Sequence, residues 1–239
     1  TRQLEGKQMT EFGLLKARGI IGFSDVNKTI QNTELMSRIM NYASDIDVLI
    51  MQHAEDYELS KNSCINEGEV ATRLGLQGVS DIAEKIIIER DLSLLSKFPC
   101  RYHINQISSK NSLDVIKKNK SNGVKFSTGV SINNLSLNQN DIGEFRTFLK
   151  LSPPLRNEED RHSLIEGIKN DFIDVIVSDH IPEDEESKRL PFAQAATGSI
   201  GIETLLSLSL ELYHNDSLPL EKIIKCLTFN PAKILKIDK

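Results

Sequence analysis

The chain has 239 residues, of which 39% are hydrophobic and 26% charged, with a net charge of −5. This composition is typical of a soluble globular protein with a sizeable core, and the acidic balance argues against nucleic acid or an anionic membrane as the main partner. No apolar run approaches the roughly 18 residues of a membrane span. Three scattered cysteines predict a reducing compartment without a disulfide framework, so we expect a cytoplasmic protein.

Short apolar runs alternate with longer amphipathic runs along most of the chain. In chain order, the predicted elements are strand 19–24, helix 33–43, strand 48–51, a short helix 67–74, helix 82–95, strand 101–107, helix 113–120, strand 124–130, helix 161–169, strand 173–177 and helix 202–213. Strands that alternate with helices indicate a parallel sheet covered by helices. The strands are rich in Val, Ile and Leu, as expected when both faces of a sheet are buried.

A doubly wound sheet and a (β/α)8 TIM barrel both fit this order of elements. No glycine-rich phosphate-binding motif follows any strand, which disfavours the nucleotide-binding alternative. Polar side chains instead follow the carboxyl ends of four strands, at Asp25, His53, Gln106 and Asp179. Catalytic groups of barrel enzymes lie at that end. We therefore predict an α/β barrel domain over residues 1–239 that holds only the later strand–helix units, with about three units before them.

Two of these strand ends carry residue types suited to metal-assisted chemistry. Asp179 shares the strand parity of Val177 and would point into the mouth of a barrel. His53 ends an earlier strand, and neutral imidazole is the commonest metal ligand. A carboxylate there can act as a general base toward a metal-bound water, although it could equally cap the next helix. Alternation places His103 on the opposite strand face from Gln106.

Seven short motifs, in this order and spacing, resemble the dihydroorotase family. They are Gly-Phe-Ser-Asp from Gly22, Gln-His-Ala-Glu-Asp from Gln52, Asn-Glu-Gly-Glu from Asn66, Tyr-His-Ile-Asn-Gln-Ile-Ser from Tyr102, Ser-Pro-Pro-Leu-Arg from Ser152, Asp-His-Ile-Pro from Asp179 and Leu-Pro-Phe from Leu190. The resemblance covers nearly the whole chain. It implies a metal-dependent (β/α)8 amidohydrolase that interconverts carbamoyl aspartate and dihydroorotate in pyrimidine biosynthesis. It also implies an earlier strand with a His-x-His metal pair.

Carried over residue by residue, the resemblance keeps part of the family's metal site and changes the rest. It implies that His53 is a metal ligand and that Asp179 is both a ligand and the catalytic aspartate. Two further ligand positions are changed. One is occupied by Val26, with Asp25 as the neighbouring carboxylate, and the other by Gln106 in place of a histidine. A neutral amide is a weak zinc ligand and valine is none. The expected cofactor is therefore Zn2+ if the protein is active, as one ion or none.

The substrate contacts implied by the family are also altered. They fall on Ser152 in place of an asparagine, on Glu183 in place of a histidine, and on the backbone of Gly198. The expected ligand is a small molecule, dihydroorotate or a similar compound.

Three hypotheses about function remain open at this point. The first is a dihydroorotase-type hydrolase with a reduced metal site. The second is a catalytically inactive dihydroorotase-like subunit that assembles with aspartate carbamoyltransferase, as known inactive relatives do. The third is a hydrolase of a different cyclic amide. The resemblance favours an oligomer in each case.

Overall fold

The computed structural model describes residues 1–237, in which the main strands form one parallel sheet. Its five strands are β1 (Gly22–Phe23), β2 (Leu49–Gln52), β5 (Arg101–Ile104), β6 (Ser127–Ser131) and β7 (Val175–Val177), and a separate pair consists of β3 (Ile65–Asn66) and β4 (Gly78–Val79). Every neighbouring pair is parallel. The strands of the large sheet follow one another in chain order, whereas a doubly wound sheet reverses its order at a switch point. The order is that of a barrel wall.

Helices follow the strands, as the alternating pattern predicts. They are α1 (Phe12–Ala17), α2 (Thr33–Ile46), α3 (Tyr57–Ser60), α4 (Glu69–Leu74), α5 (Ile82–Lys97), α6 (Lys110–Ser121), α7 (Ile132–Ser136), α8 (Glu158–Lys169), α9 (Glu185–Arg189), α10 (Leu205–His214), α11 (Leu220–Ile224) and α12 (Asn230–Leu235), with a π-helical turn at Lys225–Phe229. Over residues 1–237, every helix is too short or too polar to cross a membrane.

Two helices begin earlier than their apolar spacing predicts. Helix α6 begins at Lys110 because the Ser109 side chain accepts a hydrogen bond from the backbone of Ser112. Helix α8 begins after Asn157, which caps its first turn in the same way. A cap satisfies an N–H that the helix itself leaves without a partner. The polar first turns of both helices therefore lie outside the apolar pattern that defined the prediction.

The two faces of the large sheet have different surroundings. Buried residues Ile50, Ile104, Val130 and Ile176 point toward the helices and form the main core with them. Alternate residues such as His103 and Ser127 lie on the other face of the sheet. A second, smaller core joins the long connection after β2 to later loops, and it contains Ile65, Val70, Ala71, Ile142, Leu151, Leu155 and Phe192. These long loops are thereby packed together near the carboxyl ends of the strands.

Candidate active site

Three residues predicted from strand ends come together in the structure. Gln106 Nε2 donates a hydrogen bond to Asp179 Oδ1 at 2.6 Å. Burial raises the pKa of Asp179 above its ordinary value, and the Gln106 hydrogen bond and the nearby His53 oppose that rise only in part. His53 itself is only 3% exposed. A carboxyl group with a raised pKa accepts a proton more readily than an ordinary aspartate does.

The backbone turns at two positions to create this arrangement. Strand β7 ends at Val177, and Asp179 has a φ of +50°, in the left-handed region. Just after β5, the Asn105 N–H bonds to Gln52 of β2, whereas the Ile107 N–H bonds to Gly129 of β6. Residues two apart in a regular parallel strand bond to the same neighbour, so the ladder is irregular at Gln106. Such irregularities change where a side chain points.

The same irregularity corrects one expectation. The sequence places a strand over residues 101–107, but β5 ends at Ile104. Strand alternation therefore cannot be counted from His103 to Gln106. The direction in which the Gln106 side chain points is set by the irregular backbone, not by strand alternation.

A second cluster lies beside His53 and includes a residue that we did not predict. His53 Nε2 lies 3.3 Å from Glu55 Oε2 and 3.3 Å from Ser152 Oγ, and the Ser152 hydroxyl donates to Glu55 at 3.3 Å. Burial alone would raise the pKa of Glu55, but hydrogen bonds with His53 and Ser152 bring it below its ordinary value. Glu55 stands two residues after His53 in the Gln-His-Ala-Glu-Asp motif, which is the signal that could have found it.

This cluster is not a nucleophilic triad. In a serine–histidine–acid triad, the serine and the acid bond to different ring nitrogens of the histidine. Ser152 and Glu55 both approach Nε2 of His53. The arrangement therefore orients the imidazole without activating the serine hydroxyl.

Asp25 is buried but is tied to another part of the chain. Its carboxylate accepts a hydrogen bond from the hydroxyl of Thr1. Its neighbour Val26 is 61% exposed. Among residues 1–237, no hydrogen bond or ion pair joins Asp25 to His53 or Asp179. The suggestion that Asp25 binds metal stays a prediction.

The described residues at the strand ends lack the donors that a zinc ion needs. Within the described part of the chain, no group of three or more His, Cys, Asp or Glu side chains could hold a metal ion. A catalytic zinc ordinarily takes three protein ligands. His53 and Asp179, together with the neutral amide of Gln106 and the solvent-exposed Val26, do not make such a set. These residues by themselves do not fit zinc.

The loop after β7 carries the other two predicted substrate contacts. Glu183 is exposed, whereas Gly198 is buried with a φ of +139°, and a Cβ there would lie 2.5 Å from the carbonyl oxygen of Ile181. Only glycine suits that conformation and approach. The Gly198 N–H donates to the Lys150 carbonyl at 2.9 Å. A backbone contact from Gly198 to a substrate would therefore use its carbonyl oxygen.

Cavities lie at both ends of the strands. One of about 220 Å³ lies against Glu55 and Ser152 and is also lined by Cys64, Lys150 and Thr197. A larger one, of about 970 Å³, lies at the amino ends of the strands, around residues such as Leu49, Arg101 and Ser127. We assign the site to the end of the strands that holds the smaller cavity, because Glu55 and Ser152, which line that cavity, contact His53, and because barrel enzymes carry their chemistry at that end.

His103 lies apart from the site and yields a prediction about stability. Its Nδ1 lies 2.8 Å from Ser127 Oγ, and burial lowers its pKa from 6.5 to about 4. Between these two pH values the unfolded chain binds a proton that the folded chain excludes, so stability falls as the pH falls from 6.5 to about 4. The loss is on the order of 3 kcal/mol.

Replacing His103 by Gln should remove this part of the pH dependence. Denaturant unfolding of both proteins at pH 7 and pH 4.5 measures it. We expect the free energy of unfolding to fall less in the variant. Equal pH dependence in the two proteins would show that His103 is protonated in the folded state as readily as in the unfolded state.

Comparisons with known proteins show which family the chain resembles. Residues 2–112 match the family described as Dihydro-orotase-like. The dihydroorotase of Ehrlichia chaffeensis is 43% identical over 232 residues, which is 97% of this chain and 52% of that protein. The dihydroorotase of Syntrophus aciditrophicus is 39% identical over 239 residues, 100% of this chain and 56% of that protein. The chain thus spans about half the length of the curated relatives that it matches.

Solved structures show the same fold. L-hydantoinase (dihydropyrimidinase) from Arthrobacter aurescens superposes with a TM-score of 0.80 at 23% identity, over 95% of this chain and 54% of that one. Dihydroorotase from Saccharomyces cerevisiae, in complex with 5-fluoroorotic acid, gives a TM-score of 0.75 at 12% identity, over 95% and 64%. The predicted α/β barrel architecture is confirmed by the fold of these neighbours. Over the part that it shares with its relatives, the chain belongs to the dihydroorotase-like family.

Proposed function

We propose that the protein is a dihydroorotase-like hydrolase of pyrimidine biosynthesis, which interconverts carbamoyl aspartate and dihydroorotate. The observation that carries the proposal is the Asp179–Gln106 pair beside His53, in a chain 43% identical to a dihydroorotase. The substrate would enter from the cavity that Glu55 and Ser152 line.

Asp179 has the properties of the group that moves the proton in this reaction. Opening a cyclic amide requires a proton to leave the attacking water and another to reach the leaving nitrogen. Gln106 holds Oδ1 of Asp179 in place, so Oδ2 is the atom for proton transfer. Burial raises the pKa of the carboxyl, which makes it a stronger base than an ordinary aspartate. Zinc binding by the whole protein would need ligands in addition to His53 and Asp179.

A second candidate is a catalytically inactive subunit that assembles with aspartate carbamoyltransferase. The observation that favours it is the amide of Gln106 at a ligand position, already bonded to Asp179. Within residues 1–237 this leaves no set of three metal-ligating side chains. Hydrolysis of another cyclic amide is the third candidate, because Ser152 and Glu183 change the family's substrate contacts.

An activity assay with metal analysis separates these candidates. Purified protein is incubated with dihydroorotate, and in parallel with a hydantoin, before and after addition of zinc, and its metal content is measured. We expect turnover of dihydroorotate in preference to the hydantoin. The reverse preference would support the third candidate. Absence of turnover on both compounds, with co-elution of aspartate carbamoyltransferase, would support the inactive subunit and contradict our proposal.

A further inference from the structure

A buried polar network that the proposed chemistry does not use adjoins Gln106 through Ser108. It consists of Glu84, Ser108, Arg156 and Asn66, which are 2%, 0%, 4% and 6% exposed. The four residues come from α5, from the turn after β5, from the Ser-Pro-Pro-Leu-Arg segment and from β3. A buried charge is costly unless it is paired and hydrogen-bonded, so this network has a structural cost that its contacts must offset.

Glu84 fixes the course of the chain just after Gln106. Its carboxylate accepts hydrogen bonds from the backbone N–H of Ser108 at 3.0 and 3.1 Å and from that of Ser109 at 3.3 Å. The hydroxyls of both serines also donate to it. Ser108 follows Gln106 by two residues, and the ladder at Gln106 is irregular. The position of this turn is therefore set by a side chain of α5 in addition to the sheet.

Arg156 connects the same turn to the β3–β4 pair. Its Nε donates to Ser108 Oγ at 2.9 Å, and its Nη1 donates to Asn66 Oδ1 at 2.8 Å and to the Val79 carbonyl at 2.9 Å. The Ser108 hydroxyl thus donates to Glu84 and accepts from Arg156, which joins opposite charges through one atom. Arg156 also follows Ser152 by four residues, and Ser152 contacts His53.

We propose that Glu84 and Arg156 are positioning residues: they hold the turn that aims the Gln106 amide at Asp179, and Arg156 holds Ser152 beside His53. Satisfied networks of buried polar groups are rigid and specify one arrangement. Neither residue needs to touch the substrate for this role. The consequence for catalysis rests on the function proposed above, whereas the consequence for Gln106 does not.

The geometric part is tested by NMR of the Gln106 side-chain amide in the purified protein, assigned by its absence in Gln106→Met. In the wild type we expect one Nε2 proton to resonate downfield because Asp179 accepts it. In Glu84→Gln, Arg156→Lys and Ser108→Ala this resonance should move toward that of an ordinary glutamine. Lysine keeps the charge of arginine but not its planar fork of donors.

Arg161→Lys is the matched control, because Arg161 pairs with Glu158 on α8 and, among the described residues, has no hydrogen bond or ion pair to this network. Its Gln106 resonance should be unchanged. An unchanged resonance in folded Glu84→Gln and Ser108→Ala would overturn the proposal. If Arg156→Lys does not fold, Ser108→Ala still decides the outcome, since it removes only the shared hydroxyl.

Steady-state kinetics adds a second measurement, since a merely structural role of these residues would leave kcat unchanged in the folded variants. Residues that orient catalytic groups typically cost 10–100-fold in activity when changed. We expect kcat for dihydroorotate to fall by about 10–100-fold in Arg156→Lys and Glu84→Gln, with a smaller change in KM. If the Gln106 resonance moves in the variants but the wild-type protein does not turn over dihydroorotate, the positioning role is supported and only the proposed function is contradicted. Full kcat in variants whose resonance has moved would overturn the catalytic part.

Discussion

Replacing Asp179 by Asn is expected to lower the turnover of dihydroorotate by about 10²–10⁴-fold, the usual contribution of a general acid–base group. Asparagine keeps an oxygen that can accept the hydrogen bond from Gln106 Nε2, which is 2.6 Å long in the wild type. It has no carboxylate oxygen to accept a proton. The variant therefore removes proton transfer while it preserves the geometry, and steady-state kinetics measures the loss directly.

The stability of the Asp179→Asn variant should not fall. Burial raises the pKa of Asp179, which means that the folded protein disfavours its charge, and asparagine carries none. Asp45→Asn serves as the control, because Asp45 is exposed near the end of α2, before β2 begins, and so lies away from the carboxyl ends of the strands. Turnover in Asp179→Asn equal to that of the wild type would show that another group moves the proton.

The largest expected effect on stability comes from Asp91. This aspartate of α5 is 0% exposed and accepts hydrogen bonds from Tyr102 Oη at 2.6 Å, Arg90 Nε at 2.8 Å and Gln52 Nε2 at 3.3 Å. Asp91→Ala leaves these three donors without their acceptor. Removing one partner of a buried charged network costs about 3–5 kcal/mol. Denaturant unfolding should show a loss of that size in the free energy of unfolding.

Two milder variants calibrate this prediction. Burial raises the pKa of Asp91, with Arg90, Tyr102 and Gln52 opposing the rise, so Asp91→Asn removes a disfavoured charge and keeps an acceptor oxygen. We expect it to lose less than Asp91→Ala. Tyr102→Phe removes one donor and should cost about 1 kcal/mol. A loss below about 1 kcal/mol for Asp91→Ala would mean that water or a rearrangement satisfies the three donors.

Much of the fold could be predicted from the sequence because its signals are local. The apolar residues of α2 are spaced as in a helix that buries one stripe of its surface. The apolar run of β2 is that of a strand whose two faces are both buried. The predicted bounds are wrong where something other than the apolar pattern sets the beginning or end of an element. The predicted first strand, 19–24, is only Gly22–Phe23 in the structure, and α6 begins earlier because of the Ser109 cap.

The site could be predicted only in part. His53, Gln106 and Asp179 follow strand ends, and the carboxyl ends of parallel strands meet at one edge, so their proximity has a local signal. Glu84 and Arg156 have no such signal. Their roles depend on hydrogen bonds to Ser108, which is 24 residues from Glu84 and 48 from Arg156 along the chain.

The sequence by itself determined the order of strand–helix units, the polar residues that end the strands, and the family to which their motifs belong. These features depend on the identity and spacing of nearby residues. Only the tertiary structure decided where the side chains point. Gln106 faces Asp179 because the ladder is irregular between Asn105 and Ile107, and Asp179 follows a left-handed turn. Asp25 accepts a hydrogen bond from the Thr1 hydroxyl. Such a contact between distant segments has no local pattern in the sequence and forms only when the chain is packed.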